Sequence, residues 1–312
     1  MPKRKIHFIG FLANVDDSIL QLSLGHPFTI EKKSQDEVVP FTRDIRQHYG
    51  TNSEYGILAV EDQVNGIVHN QSFYYYCVTG RNVESFNSTP QGGVVIKWGK
   101  HEEFHRLIQE KLRLLRLFKE GNISLEFSCI YHLKDSQPSV FGLCREWPIA
   151  DKTKFHLEDN EISDAQCFIE TTRIPFKEKY LQLAFDSFEL SYESHNAALS
   201  FLSLMIAMEV MLNRSKQDEL RYAISRNAAV LLGKDKDDSE RVFKEVRMLY
   251  DKRSKLVHEG SANEISSKDV LLLRHYVREA IKEMQSISKD PKKIRDILNT
   301  CGFGQRPWRD GC

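Results

Sequence analysis

The sequence predicts an α+β protein in which a strand-rich mixed N-terminal domain precedes an all-α helical bundle. Three observations carry this. Short runs of β-branched and aromatic residues, punctuated by Gly, Asn, Asp and Pro, fill the first half. From about residue 180 the apolar spacing changes to three and four residues. Short polar breaks then separate the helical segments, the pattern of an antiparallel bundle. The boundaries read as 1–175 for the strand-rich domain, 176–288 for the bundle and 289–312 for a C-terminal tail.

In the first domain the strand candidates are Ile6–Leu12, Tyr55–Val60, Ser72–Val78, Gly93–Trp98 and Ile123–Ile130. One helix interrupts them, His101–Phe118, with Phe104, Leu107, Ile108, Leu112, Leu115 and Leu117 at mixed three- and four-residue steps. Gly121-Asn122 supplies its stop. The run Phe73-Tyr-Tyr-Tyr76 has the composition of a base-stacking surface, but aromatics favour strands anyway, so it reads as a half-buried strand.

The second domain opens with Lys179–Ser191, followed by Glu193–Leu212, which is apolar on nearly every side and so reads as a helix buried among others. Ser215 with Asp218 marks the start of a helix that ends at Leu231-Leu-Gly233. Lys234–Asp238 reads as a solvated charged loop, and Ser239 as the N-cap of a helix through Val257 with Gly260 at C′. Ser266 or Ser267 opens a last helix reaching Ile287. Phe303 and Trp308 are the residues expected to dock the tail.

Composition excludes several function classes. Apolar content of 41% and charged content of 28% fit a globular protein of 312 residues, long enough for two cores. Lys+Arg and Asp+Glu are both 44, so no global basic field advertises a nucleic-acid binder, although a local cluster would suffice. Six scattered cysteines without a CxxC pair argue against a zinc knuckle or a disulfide framework. The basic N-terminus lacks a signal-peptide apolar region. The longest apolar run, Ala197–Met208, is too short to span a bilayer. The expectation is a cytoplasmic chain with reduced thiols, no membrane partner, no metal and no cofactor.

One stretch concentrates chemistry: Tyr250-Asp-Lys-Arg253-Ser-Lys-Leu-Val-His258-Glu-Gly260. At about 100° per residue, Val242, Val246, Leu249, Arg253 and Leu256 fall within roughly 60° of one another. Arg253 is thus a charge on a face that should be dry, which requires a carboxylate, an interface or a ligand. His258 lies about 140° further round, in the last turn, where the negative helix end favours its protonated form. A permanent cation beside the side chain that titrates near neutrality is the minimum equipment for metal-free phosphodiester cleavage. Glu209, in the most apolar helix, is expected to be paired, with Arg226 and Arg253 as candidate partners. It serves either as a structural bridge or to orient Arg253. Lys252 and Lys255 flank the pair and are candidate phosphate contacts.

These residues carry a resemblance. Met208-Glu-Val-Met-Leu212, Arg226-Asn-Ala-Ala-Val-Leu-Leu-Gly233 and Leu249-Tyr-Asp-Lys-Arg253 through His258 resemble the HEPN superfamily, specifically its ApeA-like branch. The resemblance covers about a third of the chain. It implies a helical bundle that dimerises so that two Arg/His helices face each other. It also implies metal-independent endoribonuclease activity and a role in toxin or antiviral defence, with RNA as substrate and an antitoxin or phage-derived trigger as further partner. Many members carry Asn, Asp or His directly after the arginine, where this chain has Ser254.

The chemistry expected is in-line attack by the RNA 2′-OH, with His258 as general acid or base and Arg253 stabilising charge on the phosphate oxygens. The strand-rich half would sense a trigger or restrain the nuclease. The competing reading is a non-catalytic HEPN-like RNA-binding or dimerisation module partnered with another protein; the intact Arg253/His258 pair favours the enzyme. A third reading, an enzyme in the first half, lacks support, since Gly92-Gly93 has neither a GxGxxG nor a Walker pattern.

Overall fold

The computed structural model describes residues 3–34, 36–41, 74–87, 100–145, 153–212, 220–287 and 291–308. The fold is α+β: an N-terminal antiparallel sheet and a C-terminal helical region, which divide into two compact units with the change near Thr172 and Arg173.

The first unit is built on a five-stranded antiparallel sheet in the order β2-β3-β1-β4-β5. β1 (Lys3–Ala13) is central and pairs with β3 (Tyr74–Asn87) and β4 (Ser124–Lys134). The edges are β2 (Phe28–Ser34) and β5 (Gln137–Arg145). Alternation along β1 divides its side chains between two faces. Phe8 turns to α1 (Lys100–Phe118), where its ring meets Phe104 at 6.2 Å. Ile9 and Phe11 turn the other way, into a cluster with Cys77, Phe127, Cys129, Val140 and the helical residues Val38 and Phe41. Chain reversal after α1 depends on Gly121 (φ +139°), where a Cβ would sit 2.5 Å from Phe155 Cα. α2 (Ile162–Thr171) covers the end of α1 through Phe168 against Phe118, 5.7 Å apart.

Sequence and structure differ in instructive ways. β2 and β5 were not expected as strands. β5 carries Pro138 and Gly142, residues that a central strand rejects but an edge strand tolerates. Its hairpin with β4 turns at Asp135 and Ser136, both with positive φ (51° and 65°), the geometry of a type I′ turn. The candidates Tyr55–Val60 and Gly93–Trp98 lie outside the described residues.

The second unit comprises α3 (Lys179–Glu193), α4 (Ala197–Leu212), α5 (Leu220–Leu232), α6 (Lys236–Glu259), α7 (Ser267–Ile287) and α8 (Pro291–Thr300). Three-residue links join α3 to α4 and α5 to α6, so each pair forms a helical hairpin. Phe188, Phe201, Met205, Met208, Ile224, Val246, Leu273 and Ile281 fill the core. α4 departs from the expectation of all-round burial: Leu199 and Ile206 stay 56% and 49% exposed, two turns apart on one side. α7 contributes a buried cation. Arg274, 1% exposed, lies 3.9 Å from the Tyr192 ring centroid and donates to Ser191 Oγ (3.1 Å) and Ser191 O (3.0 Å).

The tail is docked as the aromatic residues suggest, and it contains a helix, α8, that was not expected. Phe303 meets Phe243 at 6.1 Å, and Trp308 Nε1 donates to Glu283 Oε2 at 3.2 Å. Two arginines each cap the C-terminal end of a helix. Arg226 donates to the carbonyls of Leu298, Asn299 and Cys301 at the end of α8, and Arg306 to those of Leu231 and Leu232 at the end of α5.

Candidate functional site

The candidate site lies on the C-terminal half of α6. This helix starts earlier than the sequence indicates. Asp235 is the N-cap, its Oδ1 accepting from Asp238 N at 2.8 Å, so the expected charged loop is in fact the first turn. Ser239 is buried instead of capping, and its Oγ accepts from Gly304 N at 3.0 Å in the tail. Val242, Val246, Leu249 and Tyr250 are buried, as the apolar stripe requires. Gly260 ends the helix in the left-handed region (φ +68°), one residue after Glu259.

Arg253 continues the stripe at the point where it meets α4. Its Nε lies 3.2 Å from Glu209 Oε1, with the two side chains 27% and 24% exposed. The pair is electrostatic only: Glu209 Oε1 is shielded from solvent and has no hydrogen-bond partner among the described residues. Arg253 Cζ sits 5.7 Å from the Tyr250 ring centroid. Burial pushes the Tyr250 phenol above its ordinary pKa; Glu209 adds to this and Arg253 opposes it. The guanidinium is thus held by charge and by a ring, while none of its N–H groups is spent on a hydrogen bond among the described residues.

His258 is exposed in the last turn, and no hydrogen-bond or ion-pair partner stands beside it among the described residues. Five residues of helix separate it from Arg253 by about 140° and about 7.5 Å along the axis, so the two do not share a face of α6. Ser254 is half-buried between them.

The other candidates are placed elsewhere. Arg226 is not the partner of Glu209; it is committed to the end of α8, which leaves Arg253 as the partner. Lys252 does not reach toward solvent phosphates. It donates to Asp269 Oδ2 (2.7 Å) and Glu264 O (3.2 Å), tying α6 to the start of α7. Asp269 and Ser266 form a reciprocal cap there, Ser266 N donating to Asp269 Oδ2 at 2.9 Å. Burial would raise the Asp269 carboxyl, but hydrogen bonds from Lys252 and Ser266 outweigh it and hold the pKa below the ordinary value. Lys255 is exposed and paired with Glu264 at 3.1 Å. Sequence reasoning missed Lys244 and Arg247, exposed cations of α6 that have no ion partner among the described residues. Their spacing of 14 and 11 residues, respectively, from His258 was the available signal, since it returns them to its face of the helix.

Among the described residues no group of three or more His, Cys, Asp or Glu side chains is arranged to hold a metal ion. The spacing His101-Glu-Glu-Phe-His105 on α1 matches a zinc-binding helix, yet both imidazoles turn to Ser128. No described helix is long and apolar enough to cross a membrane. Comparison with protein families, with curated proteins and with solved structures produced no match to the chain.

Proposed function

We propose that the helical unit is a HEPN-type, metal-independent endoribonuclease that works in the cytoplasm as a toxin or antiviral effector. The observation that carries this reading is Arg253: a half-buried guanidinium, pre-positioned by Glu209 and Tyr250, with its hydrogen-bonding donors uncommitted. Such a fork suits a phosphodiester whose oxygens gain charge during in-line attack by the 2′-OH. His258, solvent-facing and unencumbered, exchanges the proton as general base or acid.

A homodimer completes the site. Leu199 and Ile206 on α4, with Val257 (49% exposed) next to His258, supply apolar surface around Glu209 and Arg253 for a second copy to cover. A two-fold contact brings two copies of each residue to one cleft without any new residue type. The strand-rich unit senses a trigger or restrains the nuclease, with an antitoxin or phage-derived component as partner.

Purified protein incubated with total RNA in EDTA tests the reading. Cleavage by the wild type and none by Arg253→Ala or His258→Ala is expected. An inactive wild type, or activity that EDTA abolishes, overturns it in favour of a non-catalytic binding or dimerisation module or a metal-dependent mechanism.

A further inference from the structure

The first unit holds a second chemical grouping that the ribonuclease reading does not use. His101 and His105, one turn apart on α1, are buried against the sheet, 6% and 7% exposed. His101 Nε2 faces the Ser128 carbonyl at 3.3 Å and the Ser128 Oγ at 3.4 Å, while His105 Nδ1 takes the same hydroxyl at 2.7 Å. A carbonyl oxygen only accepts, so Nε2 carries the His101 proton and Nδ1 is left with its lone pair. That lone pair points at a thiol: Cys144 Sγ on β5 stands 3.6 Å from Nδ1. Gly142 lies beside this ring: a Cβ there would stand 2.8 Å from Ile130 Cγ1, too close without a shift, and 3.4 Å from His101 Nδ1.

We infer that Cys144 is a redox-modification site, with His101 as its proton acceptor and a low-molecular-weight disulfide as the co-reactant. The Cys144 S–H passes its proton to His101 Nδ1, and the thiolate attacks one sulfur of the disulfide. The Cys144–sulfur bond forms as the reagent's S–S bond breaks. The leaving thiolate takes the proton back from the imidazolium and departs as a thiol. Cys144 is half-buried. Cys77, Cys129 and Cys301 are buried, and burial pushes the Cys77 thiol far above its ordinary value. Cys167 is exposed and serves as the internal control. Burial holds the His101 imidazole below its ordinary pKa, with His105 pressing the same way and the Ser128 hydrogen bond and Glu102 opposing, so the ring is neutral near neutrality and the geometry at Nδ1, not added basicity, is what it offers the thiol. A group added to Cys144 would enter the contact between β5 and α1, so the modification reports on the packing of this unit.

The test treats the full chain with oxidised glutathione at neutral pH and follows each cysteine by peptide mass spectrometry. Cys144 is expected to react about fivefold faster than Cys167 or more, despite its lower exposure. In His101→Gln the Cys144 rate falls to that of Cys167 or below, while the Cys167 rate is unchanged. In the wild type, the Cys144 rate levels off at lower pH than the Cys167 rate. The pH comparison decides the matter if the variant does not fold. Equal rates at neutral pH, parallel pH profiles, or an unchanged Cys144 rate in a folded His101→Gln protein would overturn the assignment. None of these outcomes depends on ribonuclease activity.

Discussion

Replacing Glu209 with Gln removes the charge opposite Arg253 and keeps the shape. Read from the sequence alone, a carboxylate on an all-round apolar helix leaves a buried arginine unpaired when it goes, at a cost of about 3–5 kcal/mol. The structure gives a smaller figure. At 3.2 Å the gross attraction at an effective dielectric of about 20 is about 5 kcal/mol, but both side chains remain about a quarter exposed and no hydrogen bond aligns the pair. Partial desolvation and side-chain ordering offset most of this, leaving about 0.5–1 kcal/mol, near the upper end for solvent-accessible pairs. The expected fall in melting temperature is therefore less than about 4 °C. The effect on catalysis runs the other way: losing the orientation of Arg253 is expected to cost up to about 100-fold in cleavage rate. A thermal melt beside an RNA cleavage assay separates the two. A stability loss of several kcal/mol would show a buried structural bridge, and an unaltered rate would remove Glu209 from any positioning role.

Four further outcomes are expected. Arg253→Ala and His258→Ala each reduce cleavage by about 10²–10⁴-fold with circular dichroism unchanged, because His258 is exposed and Arg253 is only half-buried and makes no hydrogen bond among the described residues. Arg274→Ala destabilises the helical unit by about 3–5 kcal/mol in denaturant titration, since it opens a cavity and leaves the Ser191 carbonyl without this donor. Asp269 has a folded-state pKa below its unfolded value, so its contribution to stability is present above the unfolded pKa and is lost as pH falls through the folded one. Asp269→Asn should accordingly lower stability at neutral pH and flatten the acid limb of a stability–pH curve. Ile206→Lys places a charge on a side chain already 49% exposed; light scattering should show a shift from twice the 36.3 kDa chain mass to the single mass, with the melt unaffected.

The sequence showed the halves and the site helix because their signals are periodic. The stripe Val242, Val246, Leu249 and the left-handed Gly260 leave little choice for α6. What it hid depends on contacts between distant residues. Ser239 has the composition of a cap, but a tail glycine claims its hydroxyl, and Asp235 takes the role from within a run that composition assigns to a loop. Arg226 stands on α5 as plausibly as Arg253 stands on α6, yet only the folded chain reveals that the carbonyls of α8 await it. The histidines of α1 occupy the steps of its apolar face, His101, His105, Ile108, Leu112 and Leu115, and polarity concealed their part in it. β5 was missed because Pro138 and Gly142 suppress the strand signal wherever edge placement is unknown.

The division of α6 into two faces bears on the proposed mechanism. One face holds Arg253 against Tyr250 and Glu209, sheltered enough for its charge to act at reduced dielectric. The other presents His258 to water, with Arg247 and Lys244 further along the same side, cations that the proposed reading would set against an RNA backbone. A phosphate gripped by Arg253 lies about 140° round the helix from the histidine of its own chain, which is poor geometry for proton transfer at hydrogen-bond distance. The proposed homodimer answers the difficulty by bringing a second Arg253 and a second His258 to one cleft about a two-fold axis. On the proposed reading, the spacing that looks like a defect within one chain is a reason for a two-fold site, and cleavage would depend on the apolar strip of α4, where Leu199 and Ile206 are exposed.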